Sequence, residues 1–176
     1  MVMVEGASVP MTSALRGFRL PVLSAAMLGI AAIALFSGCT SESVAEMKTY
    51  DGINAIRAAN GLPPLTPDPA LLEVSRIRSR DMAAFSYFSH DPPDGCNYTC
   101  LLDARGYDYS WAGENIAWNT YDWAQTAAAA VQMWENSPPH LANILNCHYE
   151  RFATGVAKAD DGKVYYTMIF EGAHAC

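Results

Sequence analysis

Basic residues are scarce: the 176-residue chain has 11 Lys and Arg against 18 Asp and Glu, a formal net charge of −7, and no run of cations. Binding nucleic acid by phosphate neutralisation needs clustered positive charge, so DNA and RNA are excluded as partners. No linker, repeat or low-complexity segment divides residues 40–176, which indicates one domain. Long apolar runs are also missing. The longest, Leu20 to Phe36, is short for a membrane-spanning helix, and a multispanning protein is excluded. Neither a His-Glu-x-x-His helix nor a Gly-x-Ser-x-Gly elbow is present, so two familiar hydrolase signatures are absent. Charged residues are only 16% of the chain and hydrophobic ones 51%, too apolar for disorder.

Arg16 and Arg19 precede the apolar run, which ends in Ser37-Gly38-Cys39. A basic region, an apolar region and small residues make a signal peptide. Small residues followed at once by Cys resemble the bacterial lipobox, with Phe36 in place of the usual Leu. The expectation is a lipoprotein signal peptide over 1–38, a lipidated Cys39, and residues 39–49 carrying the anchored N-terminus into helix one. The globular domain then spans 50–176. Two or more acyl chains hold a domain stably at a membrane, and one does not. Cleavage removes Glu5, Arg16 and Arg19, leaving 9 basic and 17 acidic side chains, a net charge of −8. Anionic headgroups repel such a domain, so lipid and not charge is expected to anchor it to the bacterial envelope.

With Cys39 assigned to lipid, Cys96, Cys100, Cys147 and Cys176 form an even set in an oxidising compartment. Of three connectivities, Cys96–Cys100 and Cys147–Cys176 are favoured: one closes a tiny loop, the other ties down the C-terminus. The alternative is a zinc site from Cys96, Cys100, Cys147 and His148, although thiolate sites suit reducing compartments better.

Helical spacing of Val44, Met47, Ile53 and Ile56 predicts a first helix from about Val44 to Asn60, stopped by Gly61. The proline-rich stretch 62–69 is extended or turn-like, and a second helix starts near Pro69. Its stripe of Leu71, Val74, Met82 and Phe85 also carries Arg78, which needs a partner if buried. Ser86–Gly106 reads as a loop and Gly113–Trp118 as an extended segment. A third helix, capped by Asn119 or Thr120, presents Trp123, Ala127, Ala130, Val131 and Trp134 on one face. Ser137-Pro138-Pro139 opens a short fourth helix, and residues 155–170 form a hairpin turning at Asp161-Gly162.

His90 and His140 sit in polar contexts at helix ends, where a scaffold can aim imidazoles into a cleft, and Glu114 lies in an apolar neighbourhood. Their order fits a larger pattern. Ile53-Asn54-Ala55-Ile56-Arg57, Gly61-Leu62-Pro63-Pro64-Leu65 with Asp81-Met82, Phe88-Ser89-His90, Ala112 to Ala117, and Trp134-x-x-Ser137-Pro138-x-His140-x-x-Asn143-Ile144-Leu145 follow one another. Over about residues 50–170 the chain resembles the CAP superfamily of cysteine-rich secretory, antigen 5 and pathogenesis-related proteins, most of all its bacterial SCP-like branch.

The resemblance implies an α+β fold, an α-β-α sandwich whose central, mostly antiparallel sheet lies between helical layers with a cleft on one side. It implies a divalent-cation cluster, zinc among the candidates, onto which His90, Glu114 and His140 carry over as metal ligands. The fourth, acidic position falls on Ser137, and Glu135 cannot replace it, since two residues on a helix turn the side chain by about 200°. Two imidazoles, a carboxylate and water could still complete a zinc site. No residue is assigned a catalytic role.

The leading expectation is a lipid-anchored binding module whose cleft takes a cation, a small apolar ligand or an envelope component. The aromatics Tyr107, Tyr109, Trp111, Trp118, Tyr121 and Trp123 stand near it in sequence. The alternatives are a zinc-dependent hydrolase of peptide or envelope substrates, and a structural envelope protein with a vestigial cluster.

Overall fold

The computed structural model describes residues 40–173. The lipobox expectation at Cys39 and the partner cysteine Cys176 lie outside them. Helix α1 (Ser41–Ala59) starts where the Thr40 hydroxyl accepts the Ser43 amide, and Gly61, at φ +73°, lets the chain turn away after it. Helix α2 (Pro69–Phe85) is capped by the Asp68 carboxylate, which accepts the Ala70 and Leu71 amides. It ends at Ser86 in the left-handed region, φ 54°.

Strand β1 (Thr66–Pro67), β2 (Trp111–Asn119), β3 (Arg151–Lys158) and β4 (Val164–Gly172) form one sheet in the order β1-β3-β4-β2. Among the described residues only the short β1–β3 pairing is parallel. The β3–β4 hairpin turns through Gly162 at φ +90°, at the predicted Asp161-Gly162 position. Helix α2 covers one face of the sheet, while α1, α4 (Thr126–Glu135) and α5 (Pro138–Ile144) cover the other face and the β2 edge. This is the expected α-β-α sandwich.

Both interfaces follow from strand alternation. Phe152, Val156, Tyr166, Met168 and Phe170 point toward α1 and α4, packing with Ile53, Ile56, Ala130 and Trp134. Ala153 and Ile169 point the other way, against Leu71, Val74 and Leu102. Burying each such large side chain contributes about 1.5–3 kcal/mol. Helix α2 lies unusually close to β3. The Ser75 and Ser79 hydroxyls donate to the Ala153 and Gly155 carbonyls, and a Cβ on Gly155 would run into the Ser75–Arg76 backbone. That contact sets the height of Arg78 over the sheet.

Two expectations need correction. The segment read as a loop over 86–106 contains a helical turn, α3 (Tyr98–Asp103), capped by Asn97 and held by Leu102 buried beside Leu71. Helix α4 begins at Thr126, later than expected. The Asp122 carboxylate accepts the Ala124 and Gln125 amides in a tight turn, and Asn119 is occupied with Tyr121 and Thr126. Trp123 therefore precedes the helix, under the Lys158 ammonium at 5.5 Å. Cys96 and Cys100 form the predicted disulfide. Cys147 is not a free thiol.

Candidate functional site

Strand β2 is an edge, and the site is built along it. Three of its carbonyls receive donors from the helices beside it: Ile116 from the Trp134 indole at 3.1 Å, Glu114 from the Asn143 amide at 3.4 Å, and Ala112 from the Tyr98 hydroxyl at 3.4 Å. Asn143 also donates to Asn115, whose own amide donates to the His140 carbonyl. These bonds clamp α5 against β2 and fix the height of His140.

On the α2 side, the Glu114 side chain is 1% exposed, which an isolated carboxylate would not tolerate. Arg78, equally buried, supplies the counter-charge, with Nε donating to Oε2 at 3.1 Å. The same guanidinium donates to the Tyr87 hydroxyl and to the Ser89 and His90 carbonyls, so it both neutralises Glu114 and shapes the loop that delivers His90. Tyr87 in turn donates to Asp81, and burial together with that carboxylate pushes its pKa up to about 12.

His90 completes the chain, with Nδ1 2.7 Å from Glu114 Oε1 and about half of its side chain exposed. The hydrogen bond to Glu114 raises its pKa above the ordinary value, against the opposing effects of burial and Arg78. His140 lies across the cleft, its Nδ1 2.8 Å from the Ser137 hydroxyl. Burial, and then charge on His90, lower its pKa. One imidazole is thus tuned to hold its proton and its neighbour to lose it.

The structure brings His90 and Glu114 into contact, sets His140 within electrostatic reach of His90, and ties Ser137 to His140. Among the described residues no group of three His, Cys, Asp or Glu side chains could hold a metal ion. Both Glu114 oxygens are already engaged by Arg78 and His90. A cation ligated by Glu114 would have to displace one of those partners.

Beside the histidines runs a groove of about 440 Å³ lined by Phe88, Ile116, Ala117, Trp118, Met133, Trp134, Ser137 and His140. Apart from Ser137 and His140 its walls are apolar. Phe88 and Met133, 47% and 46% exposed, are left partly bare because no described residue covers the groove. Of the six aromatics expected near the cleft only Trp118 lines it, while Trp111 stacks on His148 at 4.0 Å near the start of β2. Sequence reading flagged Arg78 only as needing a partner and missed Tyr87 and Met133. The available signal was apolar residues that break the packing pattern: Met133 lies off the buried stripe of α4, and Phe88 sits in a polar loop.

The fold and site define an α-β-α sandwich domain with two histidines and a buried glutamate along an edge strand. The sequence profile of the cysteine-rich secretory protein (CAP) family matches residues 50–170, and the chain belongs to that family. It is 33% identical over 129 residues to the uncharacterized protein YkwD of Bacillus subtilis strain 168, covering 73% of this chain and 48% of that one. The uncharacterized membrane protein YlbC of the same strain is 34% identical over 129 residues, 73% of this chain and 35% of that protein. This chain therefore spans about half or less of the curated relatives it matches. Among solved structures, an extracellular SCP-domain protein from Bacillus anthracis superposes with a TM-score of 0.64 at 32% identity, covering 74% of this chain and 41% of that one. An outer surface protein of Borrelia burgdorferi shares the fold, with a TM-score of 0.62 at 18% identity over 71% of this chain and 90% of that one.

Proposed function

We propose that this protein is an exported, lipid-anchored binding domain whose groove along β2 takes an apolar chain with a polar or anionic end at His90 and His140. The observation that carries this reading is the groove itself: about 440 Å³, apolar along its length, and ending on an imidazole. That volume falls within the range of small-ligand sites. The hydrogen bond to Glu114 favours the protonated form of His90, which suits a carboxylate or phosphate end, and burial favours the neutral form of His140. Export is supported by the signal-peptide pattern before Cys39 and by the extracellular protein from B. anthracis.

The test is titration with a fluorescent fatty acid. Saturable one-to-one binding is expected, weakened about tenfold or more in Met133→Glu, which sets a charge in an apolar wall. Unsaturable binding, or affinity unchanged in a folded Met133→Glu protein, defeats the reading. A divalent cation on His90 and His140 is the second reading, favoured by their electrostatic proximity. Calorimetric zinc binding near one equivalent, lost in both His90→Ala and His140→Ala, supports it; no heat from the wild type retires it.

A further inference from the structure

Four segments meet at one end of the sheet. The β3–β4 turn and the end of β2 are there, since Asn119 pairs with Val164. The end of α2 is there too, because Met82 and Ala83 pack with Tyr165 and Ala159. The start of α1 also reaches this end: Glu46 approaches the Val156 amide, and Ser41 lies a further turn and a half toward the hairpin tip.

This end exposes large apolar side chains that no core claims: Phe85 at 72%, Tyr121 at 56% and Trp118 at 37%. Lysines stand among them, with Lys163 5.2 Å over the Trp118 ring, Lys158 over Trp123, and Lys48 reaching the Ala124 carbonyl. Trp, Tyr and Lys together are the composition of a membrane–water interface, where rings sit at headgroup level and lysine stems extend toward phosphate. The charge distribution agrees. Residues 40–173 carry a net charge of −8, yet here Lys48, Arg80, Lys158 and Lys163 stand against Glu42, Asp81, Asp122, Asp160 and Asp161, a net charge of only −1. This end therefore carries little of the negative excess that repels anionic lipid from the rest of the domain.

We infer that this end of the sheet docks flat on the membrane that holds the anchor, with Phe85, Trp118 and Tyr121 in the headgroup layer. The inference rests on the lipid anchor proposed at Cys39. Only Thr40 separates Cys39 from the first residue of α1, a path of about 7 Å at full extension. With no linker, an acylated Cys39 brings this end, and no other, to the bilayer surface. Trp118 also lines the ligand groove, so the groove opens beside the membrane and an acyl chain can pass between the two.

The test uses the full chain from a host that processes lipoproteins, with Cys39 acylation read by intact mass. It is reconstituted into vesicles of equal parts phosphatidylethanolamine and phosphatidylglycerol, with or without brominated acyl chains. Bromolipid is expected to quench the intrinsic fluorescence, Trp118→Phe to lose a clear share of that quenching with Trp123 still at this end, and Trp111→Phe, altered near the opposite end of β2, to keep it. Phe85→Ser combined with Tyr121→Ser should weaken the quenching with Trp118 intact. An acylated protein that is not quenched, or is quenched equally in the two Trp variants, overturns the docking surface while the anchor stands. An unacylated Cys39 overturns both.

Discussion

Replacing Arg78 by Met isolates the ion pair that organises the site. The substitution keeps much of the side-chain volume but deletes donors to Glu114, Tyr87 and the Ser89 and His90 carbonyls. Removing one member of a buried ion pair costs about 3–5 kcal/mol, because the other charge stays buried. Here the half-exposed His90 still contacts Glu114 Oε1 and offers partial compensation, which places the expected loss near the lower end, about 3 kcal/mol. With a urea slope of about 2 kcal/mol/M, the unfolding midpoint should fall by about 1.5 M. Adding Glu114→Gln removes the stranded charge and should restore about 1 kcal/mol or more, so the double variant is more stable than Arg78→Met alone. Equilibrium unfolding by circular dichroism reads both. A loss under about 1 kcal/mol, or no recovery in the double variant, would refute the view that Arg78 is the electrostatic centre of the site.

A Cβ on Gly155 meets the α2 backbone, so Gly155→Ala should cost about 2 kcal/mol or more by thermal unfolding and disturb the His90 resonances, since α2 positions Arg78. The two histidines should titrate on opposite sides of the free value of 6.5, His90 above and His140 below, in imidazole proton NMR. Stability lent by the His90 imidazolium is present below 6.5 and fades as pH rises through its raised value; His140 lends stability above 6.5 that fades as pH falls through its lowered value. Coincident titrations would contradict the Glu114–His90 hydrogen bond.

Much of this arrangement was legible in the chain. The stripes of α1, α2 and α4 follow helical spacing because each helix buries a single face, and Asp161-Gly162 marks its hairpin because glycine accepts the positive φ there. His90, Glu114 and His140 were found through their motifs. What escaped depends on contacts distant in sequence. The two-residue β1 exists only because β3 lies beside it, and α3 only because Leu102 finds Leu71. The partner that Arg78 required is 36 residues away, and no local spacing names it. Met133 and Phe88 matter through being left uncovered, a property of the assembled surface and not of either segment.

The side chains that bound the groove have a second duty. An edge strand with open carbonyls can recruit a strand from another molecule, and β2 is such an edge. Asn143 occupies its Glu114 carbonyl and Trp134, a wall of the groove, its Ile116 carbonyl, so that wall also guards against self-association. Enlarging the groove by trimming Trp134 would gain room for a bulkier guest and at the same time unmask a template for aggregation. Variation in ligand preference should therefore be confined to positions such as Phe88, Trp118 and Met133, which shape the groove without capping the strand.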